Sequence, residues 1–147
     1  HVALISFRGQ EAEVLLEPTR SLVQTKRKLA ALPGGGATPL AAGLMAAQTM
    51  AVQARRKGLT PTVITLTDGR ANMALDGTAN RTQAATDAQA IARALRAARV
   101  DSIVIDTGKR PEPSLSKIAD ILGGTYIALP RADARSVAGV VASTLEI

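Results

Sequence analysis

Two oxygen-bearing side chains stand where a chain can use them for chemistry. In PTVITLTDGRAN the run Thr62–Leu66 leads through Thr67 into Asp68-Gly69, and in PGGGATPLAAGL the glycine run leads into Thr38. An apolar, β-branched run ending in Asp-Gly predicts a buried parallel strand that places a carboxylate at its carboxyl edge, where open α/β sheets bind ligands. The glycine-rich loop delivers a hydroxyl to the start of a helix just upstream. A carboxylate and a hydroxyl suit a hard divalent cation such as Mg2+, which takes oxygen ligands in near-octahedral geometry and keeps several waters. Thr38 and Asp68 are therefore read as two ligands of one metal site.

Each residue also has a plainer reading. Thr38-Pro39 fits an N-cap followed by a first-turn proline, and Asp68-Gly69 fits an ordinary strand-ending turn. The pairing favours the metal, as do the glycines, which cost backbone entropy and belong where the chain turns through positive φ or approaches another group closely. A phosphate loop is disfavoured, because PGGGATPL has no Lys before its Thr and does not match G-x-G-x-x-G. Asp106, in IVIDTG, would reach the same edge, where a turn-forming strand end is preferred to a third ligand. The loop from Arg70 to Arg81, with Asn72, Asp76 and Asn80, surrounds the proposed cation; it is either where a partner is read or an ordinary surface loop. Gly35, Gly36, Arg70 and Asn72 are the candidate docking residues. Arg93, Arg96 and Arg99 share one side of their helix, a pattern that usually marks a solvated face and less often a docking surface for an acidic partner.

Composition narrows the chemistry further. The 147 residues suit one domain, 46% of them are apolar, and aromatics make up 1%, so the core must be built from Ala, Leu, Ile and Val. The absence of cysteine excludes disulfides, thiolate metal sites and a cysteine nucleophile, and a lone histidine, His1, makes a zinc site or a serine–histidine triad hard to build. The net charge of +6 invites a nucleic-acid reading, but the stacking platforms of single-strand and RNA binders are missing. No apolar run approaches the roughly 20 residues of a membrane span. The expected setting is reducing cytosol or its organellar equivalent. The chain opens on HVALISF without an initiator Met, which reads as part of something longer.

The elements that position the site run in order along the chain. Val2 to Phe7 and Ala12 to Glu17 read as an antiparallel edge hairpin turning at Arg8-Gly9-Gln10-Glu11, with Pro18 ending the second strand. A helix is predicted over Ser21 to Leu32, with Leu22 and Leu29 on one side, and another over Thr38 to Lys57, with Leu40, Leu44, Ala47 and Ala51 inward. After the Thr62 strand comes a helix running to about Arg99, with Ala88, Ile91, Ala92 and Leu95 on one face. A strand over Asp101 to Thr107 and a connector from Gly108 to Pro113 precede a short helix with Leu115, Ile118, Ala119 and Leu122 inward. Thr125 to Leu129 is the last strand, and Val137, Val140 and Val141 mark a closing helix. The alternation from Pro61 onward predicts right-handed crossovers and a single α/β domain, with a doubly wound, mostly parallel Rossmann-like sheet.

At these residues the chain resembles a known family. PGGGATPLAAGL followed by VITLTDGRAN is similar to the second and third segments of the metal-ion-dependent adhesion site of von Willebrand factor A, or integrin I-like, domains. The wording GGGATPLAAGL with TDGRAN resembles the branch found at the carboxyl end of the magnesium chelatase D subunit. The resemblance implies that Thr38 and Asp68 are the site's threonine and aspartate, holding Mg2+ or Mn2+. The first segment, D-x-S-x-S, belongs at the end of a central strand expected ahead of His1.

It also implies a domain that is not itself catalytic, within a complex that uses ATP to insert Mg2+ into protoporphyrin IX for (bacterio)chlorophyll biosynthesis. The partners so implied are the ATPase I subunit, other D subunits in a ring and the porphyrin-binding H subunit, with ATP bound elsewhere in the complex. The alternatives are a generic metal-dependent adhesion module, a nucleotide-binding doubly wound enzyme and a nucleic-acid binder.

Overall fold

The computed structural model describes residues 1–30, 37–130 and 133–145. Strands β1 (Val2–Arg8) and β2 (Glu11–Thr19) form an antiparallel hairpin, and α1 (Leu22–Ala30) comes next. Arg8 pairs with Glu11 across the turn, and Gly9 adopts φ +66, a conformation open to glycine at little cost. The expected stop at Pro18 does not occur, because β2 runs on to Thr19. The register shifts between Val2↔Thr19 and Leu4↔Leu16, so Pro18 sits at an irregularity where its missing N–H removes no ladder bond.

Helix α2 (Leu40–Arg56) leads to β3 (Thr62–Thr67), α3 (Arg81–Ala97), β4 (Asp101–Asp106), α4 (Pro113–Leu122), β5 (Thr125–Ala128) and α5 (Ala134–Leu145). The parallel sheet has the order β3-β4-β5, with Thr67 opposite Asp106 and Asp106 opposite Ala128. The hairpin forms a sheet of its own rather than an edge of this one, so β1 and β3 each pair along one side only among the described residues. Helix α2 spans the gap, packing on β1, β2 and β3. Its contact with the hairpin is intimate: a Cβ on Gly43 would lie 2.7 Å from the Phe7 ring.

The core is aliphatic, as the composition requires. Leu40, Leu44 and Ala51 of α2 meet Ala84, Ala88, Ala92 and Leu95 of α3, Val104 of β4, and Leu115, Ile118, Ala119 and Leu122 of α4. Alanines at four-residue spacing let α3 lie close to its neighbours. In α2 the inward stripe takes in Ala41, which is fully buried, while Ala47 is half-exposed. Ile91 likewise only borders the core. Every residue of β4 after Asp101 is buried, and alternation places Ile103 and Ile105 on the face opposite Val104. Arg96 is not simply solvated, since its guanidinium donates to the Asp120 carbonyl at 3.4 Å and lies over Gly123, where α4 ends in a left-handed residue.

Candidate metal centre

The parallel ladder carries β3 and β4 to a common edge, and local hydrogen bonds then fix the turn at the end of each strand. Thr67 is buried, and its hydroxyl donates to the Gly69 carbonyl at 3.0 Å while accepting the Gly69 amide at 3.4 Å. That closed loop of bonds turns the chain sharply at Asp68 and leaves its carboxylate exposed. Among the described residues no hydrogen bond or ion pair engages the carboxylate. From the neighbouring strand, the Thr107 amide donates to the Thr67 carbonyl at 2.9 Å. A Cβ on Gly108 would stand 3.1 Å from the Asp68 carbonyl, so the two strand-end turns pack backbone to backbone.

Thr38 reaches the same edge by another route. Its amide donates to Asn72 Oδ1 at 2.7 Å, and the Asn72 amide donates to the Thr38 carbonyl at 3.2 Å. The predicted N-cap role is not taken up: α2 starts at Leu40, the capping position is Pro39, and no side chain caps it. Pro39 is buried, and its carbonyl accepts the Gly43 amide at 3.1 Å. Its ring and backbone start the helix without help from the threonine hydroxyl.

Asp106 is spoken for. It is 1% exposed, and its carboxylate accepts the Gly108 amide at 3.0 Å, the Glu112 amide at 2.8 Å and the Tyr126 hydroxyl at 2.7 Å. Burial works against ionisation, but the donors from Glu112, Tyr126 and Gly108 outweigh it and hold the carboxyl below the usual carboxylate range. Burial together with the Asp106 hydrogen bond and charge pushes Tyr126 up to about 12. Asp106 thus organises the turn after β4, and its carboxylate is engaged by three donors.

Three comparisons bear on the identity of this arrangement. The family model described as von Willebrand factor type A domain matches residues 1–70, which include both Thr38 and Asp68. The crystal structure of the SpRpn10 VWA domain superposes with a TM-score of 0.66 over 88% of this chain and 65% of that one, at 15% identity. The chain has the von Willebrand factor A fold, and its first 70 residues match that family's model. It is 57% identical over 145 residues to the magnesium-chelatase 60 kDa subunit of Cereibacter sphaeroides, covering 99% of this chain. It is 55% identical to the subunit of the same name from Rhodobacter capsulatus, again over 99% of this chain. The chain spans 26% of the length of each of these relatives.

In this von Willebrand factor A domain the predicted site residues fare differently. Asn72 holds the backbone of Thr38, a structural task the sequence did not reveal. Arg70 is exposed and lines a cavity with Arg81. Gly35 and Gly36 lie outside the described residues. The loop is better anchored than a surface loop need be: Ala71, Met73 and Ala74 are buried, and Asp87 accepts the Leu75 amide at 2.8 Å. Asp76 serves a local turn through Thr78, and Asn80 caps α3 by accepting the Gln83 amide at 3.0 Å. Thr67, Gly108 and Tyr126 are site-building residues that sequence reasoning missed.

The residues fit a hard cation. Among the described residues no group of three or more His, Cys, Asp or Glu is placed to hold a metal, so a carboxylate-rich cage is not on offer. An unengaged carboxylate at Asp68 and a threonine hydroxyl free of capping duty suit Mg2+, which is content with few protein ligands and several waters.

Proposed function

We propose that this chain is a non-catalytic, metal-dependent docking domain of a magnesium chelatase subunit, the one called D. The observation that carries the reading is the Asp68 carboxylate, exposed and without a partner among the described residues, tied through Asn72 to a Thr38 that does not cap its helix. The 57% identity to a magnesium-chelatase 60 kDa subunit supplies the context. In this reading Thr38 and Asp68 hold Mg2+ or Mn2+, and the bound cation offers an open coordination position to a carboxylate of another subunit. The first partner is the ATPase I subunit, with other D subunits in a ring and the porphyrin-binding H subunit as further contacts. The complex uses ATP to insert Mg2+, its substrate, into protoporphyrin IX.

The single-sided pairing of β1 and β3 supports a further element of the reading. The central strand that the family places ahead of the Thr38 segment would fit between them and bring D-x-S-x-S to the same edge.

The deciding experiment is Mg-porphyrin formation by the reconstituted complex with full-length subunit carrying Asp68→Ala, with assembly followed in parallel. Weakened assembly and lost activity are expected. Normal assembly with full activity would leave Asp68 as a turn residue and end the docking reading.

A further inference from the structure

Beside the metal centre, the amino ends of α2, α3 and α4 enclose a cavity of about 220 Å³ that the docking reading does not use. Its floor is apolar and buried, with Leu40, Ala88 and Leu115 at most 1% exposed, and its rim carries Arg70 and Arg81. We propose that this cavity seats a second carboxylate, on the same acidic partner segment whose first carboxylate completes the Asp68 metal centre. The proposal rests on that docking reading and names what the partner must present.

Size, charge and position support it. Small-molecule pockets run to about 300–1,000 Å³; this one is smaller and suits a side chain rather than a nucleotide or porphyrin. Neither Arg70 nor Arg81 forms a hydrogen bond or ion pair with a described residue. Two free guanidinium groups can clamp a carboxylate with paired N–H donors, a geometry that lysine cannot offer. The first turns of α2, α3 and α4 contain no acidic residue, so nothing within those turns offsets the positive ends of the helices. The carboxylate bonded to the cavity wall, Glu112, is already engaged by the Ser114 amide and hydroxyl. Asp87, nearly two turns into α3, is held by the Leu75 amide and by Gln83. Arg70 lies two residues beyond Asp68, a span of at most about 7 Å of extended chain, so a short peptide can reach both points. The apolar floor would accept the methylenes of a glutamate.

The test uses full-length subunit and the ATPase subunit of the same complex as probe, with binding measured in Mg2+ and in EDTA across a salt series. Arg70→Gln and Arg81→Gln should each weaken Mg2+-dependent binding about tenfold, mainly through faster dissociation, and flatten its salt dependence. Ala85→Leu fills the cavity without changing charge and should weaken binding similarly. Unchanged melting of the three variants would confirm that folding is intact. If Asp68→Ala abolishes binding while these three bind as wild type, metal docking stands and the cavity proposal falls. If Asp68→Ala binds as wild type, the underlying reading fails and takes the two-point arrangement with it. Slower association in the arginine variants with Ala85→Leu unaffected would mean long-range steering and overturn a seated carboxylate. So would saturable binding of inorganic phosphate that Arg81→Gln removes, because it would give the cavity to phosphate.

Discussion

Asn72 holds Thr38 at both of its backbone polar groups, its side-chain Oδ1 accepting the Thr38 amide at 2.7 Å and its own amide donating to the Thr38 carbonyl at 3.2 Å. Two segments 34 residues apart are thereby registered against each other without the threonine hydroxyl or the Asp68 carboxylate being used. The pair of bonds fixes the Thr38 backbone against the segment that follows Asp68 before any cation arrives. Asn72→Ala should therefore cost about 1 kcal/mol of stability and also blunt stabilisation by Mg2+. Denaturant titrations with and without Mg2+ separate the two effects. A stability loss with an unchanged Mg2+ response would show that the registration is irrelevant to the metal.

Thr38 itself offers a sharper discrimination. A true N-cap replaced by alanine loses roughly 0.5–2 kcal/mol, but no side chain caps α2. Thr38→Ala is expected to stay below that range in the absence of metal and to abolish the thermal shift caused by Mg2+. Thr38→Ser should keep the shift. The opposite pattern, a destabilised alanine variant with a normal Mg2+ response, would restore the capping role.

The Asp106–Tyr126 pair makes stability depend on pH at both extremes. Asp106 titrates below its ordinary value in the fold, so its contribution is present above the unfolded carboxylate pKa of about 3.9 and disappears as pH falls through the lower folded value. Tyr126 is pushed up to about 12; its contribution is present below the ordinary phenol pKa of about 10 and is lost as pH rises through the folded value. The chain contains one tyrosine and no tryptophan, so phenolate absorbance reports this group alone. Asp106→Asn should bring the Tyr126 transition down, remove part of the acid-limb loss, and cost about 2 kcal/mol at neutral pH. An unmoved phenol transition would mean that burial alone raises it.

Close backbone approach between β4 and β5 depends on Gly124. A Cβ there would lie 2.3 Å from the Ser102 carbonyl oxygen, and neither backbone can yield without breaking the ladder. Gly124→Ala should destabilise by about 2–3 kcal/mol. Gly43→Ala meets the Phe7 side chain instead, which can rotate, so a smaller loss of about 1 kcal/mol is expected. Equal losses in chemical denaturation would contradict this contrast.

Much of the fold was legible because its signals are local. The alternation after Pro61, the apolar spacing of Leu115, Ile118, Ala119 and Leu122, and the run before Asp68 all translate into elements with ends within a few residues of those expected. Pro18 misled because a bulge, set by cross-strand register, removes the penalty that a proline carries in a regular strand. Thr38 misled in part because N-cap statistics describe Thr-Pro pairs in general, whereas here α2 begins at Leu40 and Pro39 stands at the capping position. That Thr38 and Asp68 are candidate ligands could be read from residue type and place. The supporting set, Thr67, Asn72, Gly108 and Tyr126, could not, since each acts through a partner distant in sequence or through backbone geometry.

The one-sided pairing of β3 has a practical consequence. Its sequence, TVITLT, is uncharged, rich in β-branched residues and free of glycine and proline, and Leu66 is 44% exposed. A strand of that composition with open amides and carbonyls is a template for adding another strand, whether from the same polypeptide or from a neighbour. Wherever that edge is left uncovered, the domain is prone to stick to copies of itself, and concentration-dependent aggregation would reveal it. Leu66→Lys, which places a charge on the exposed side of β3, is the simplest way to keep such a preparation monomeric.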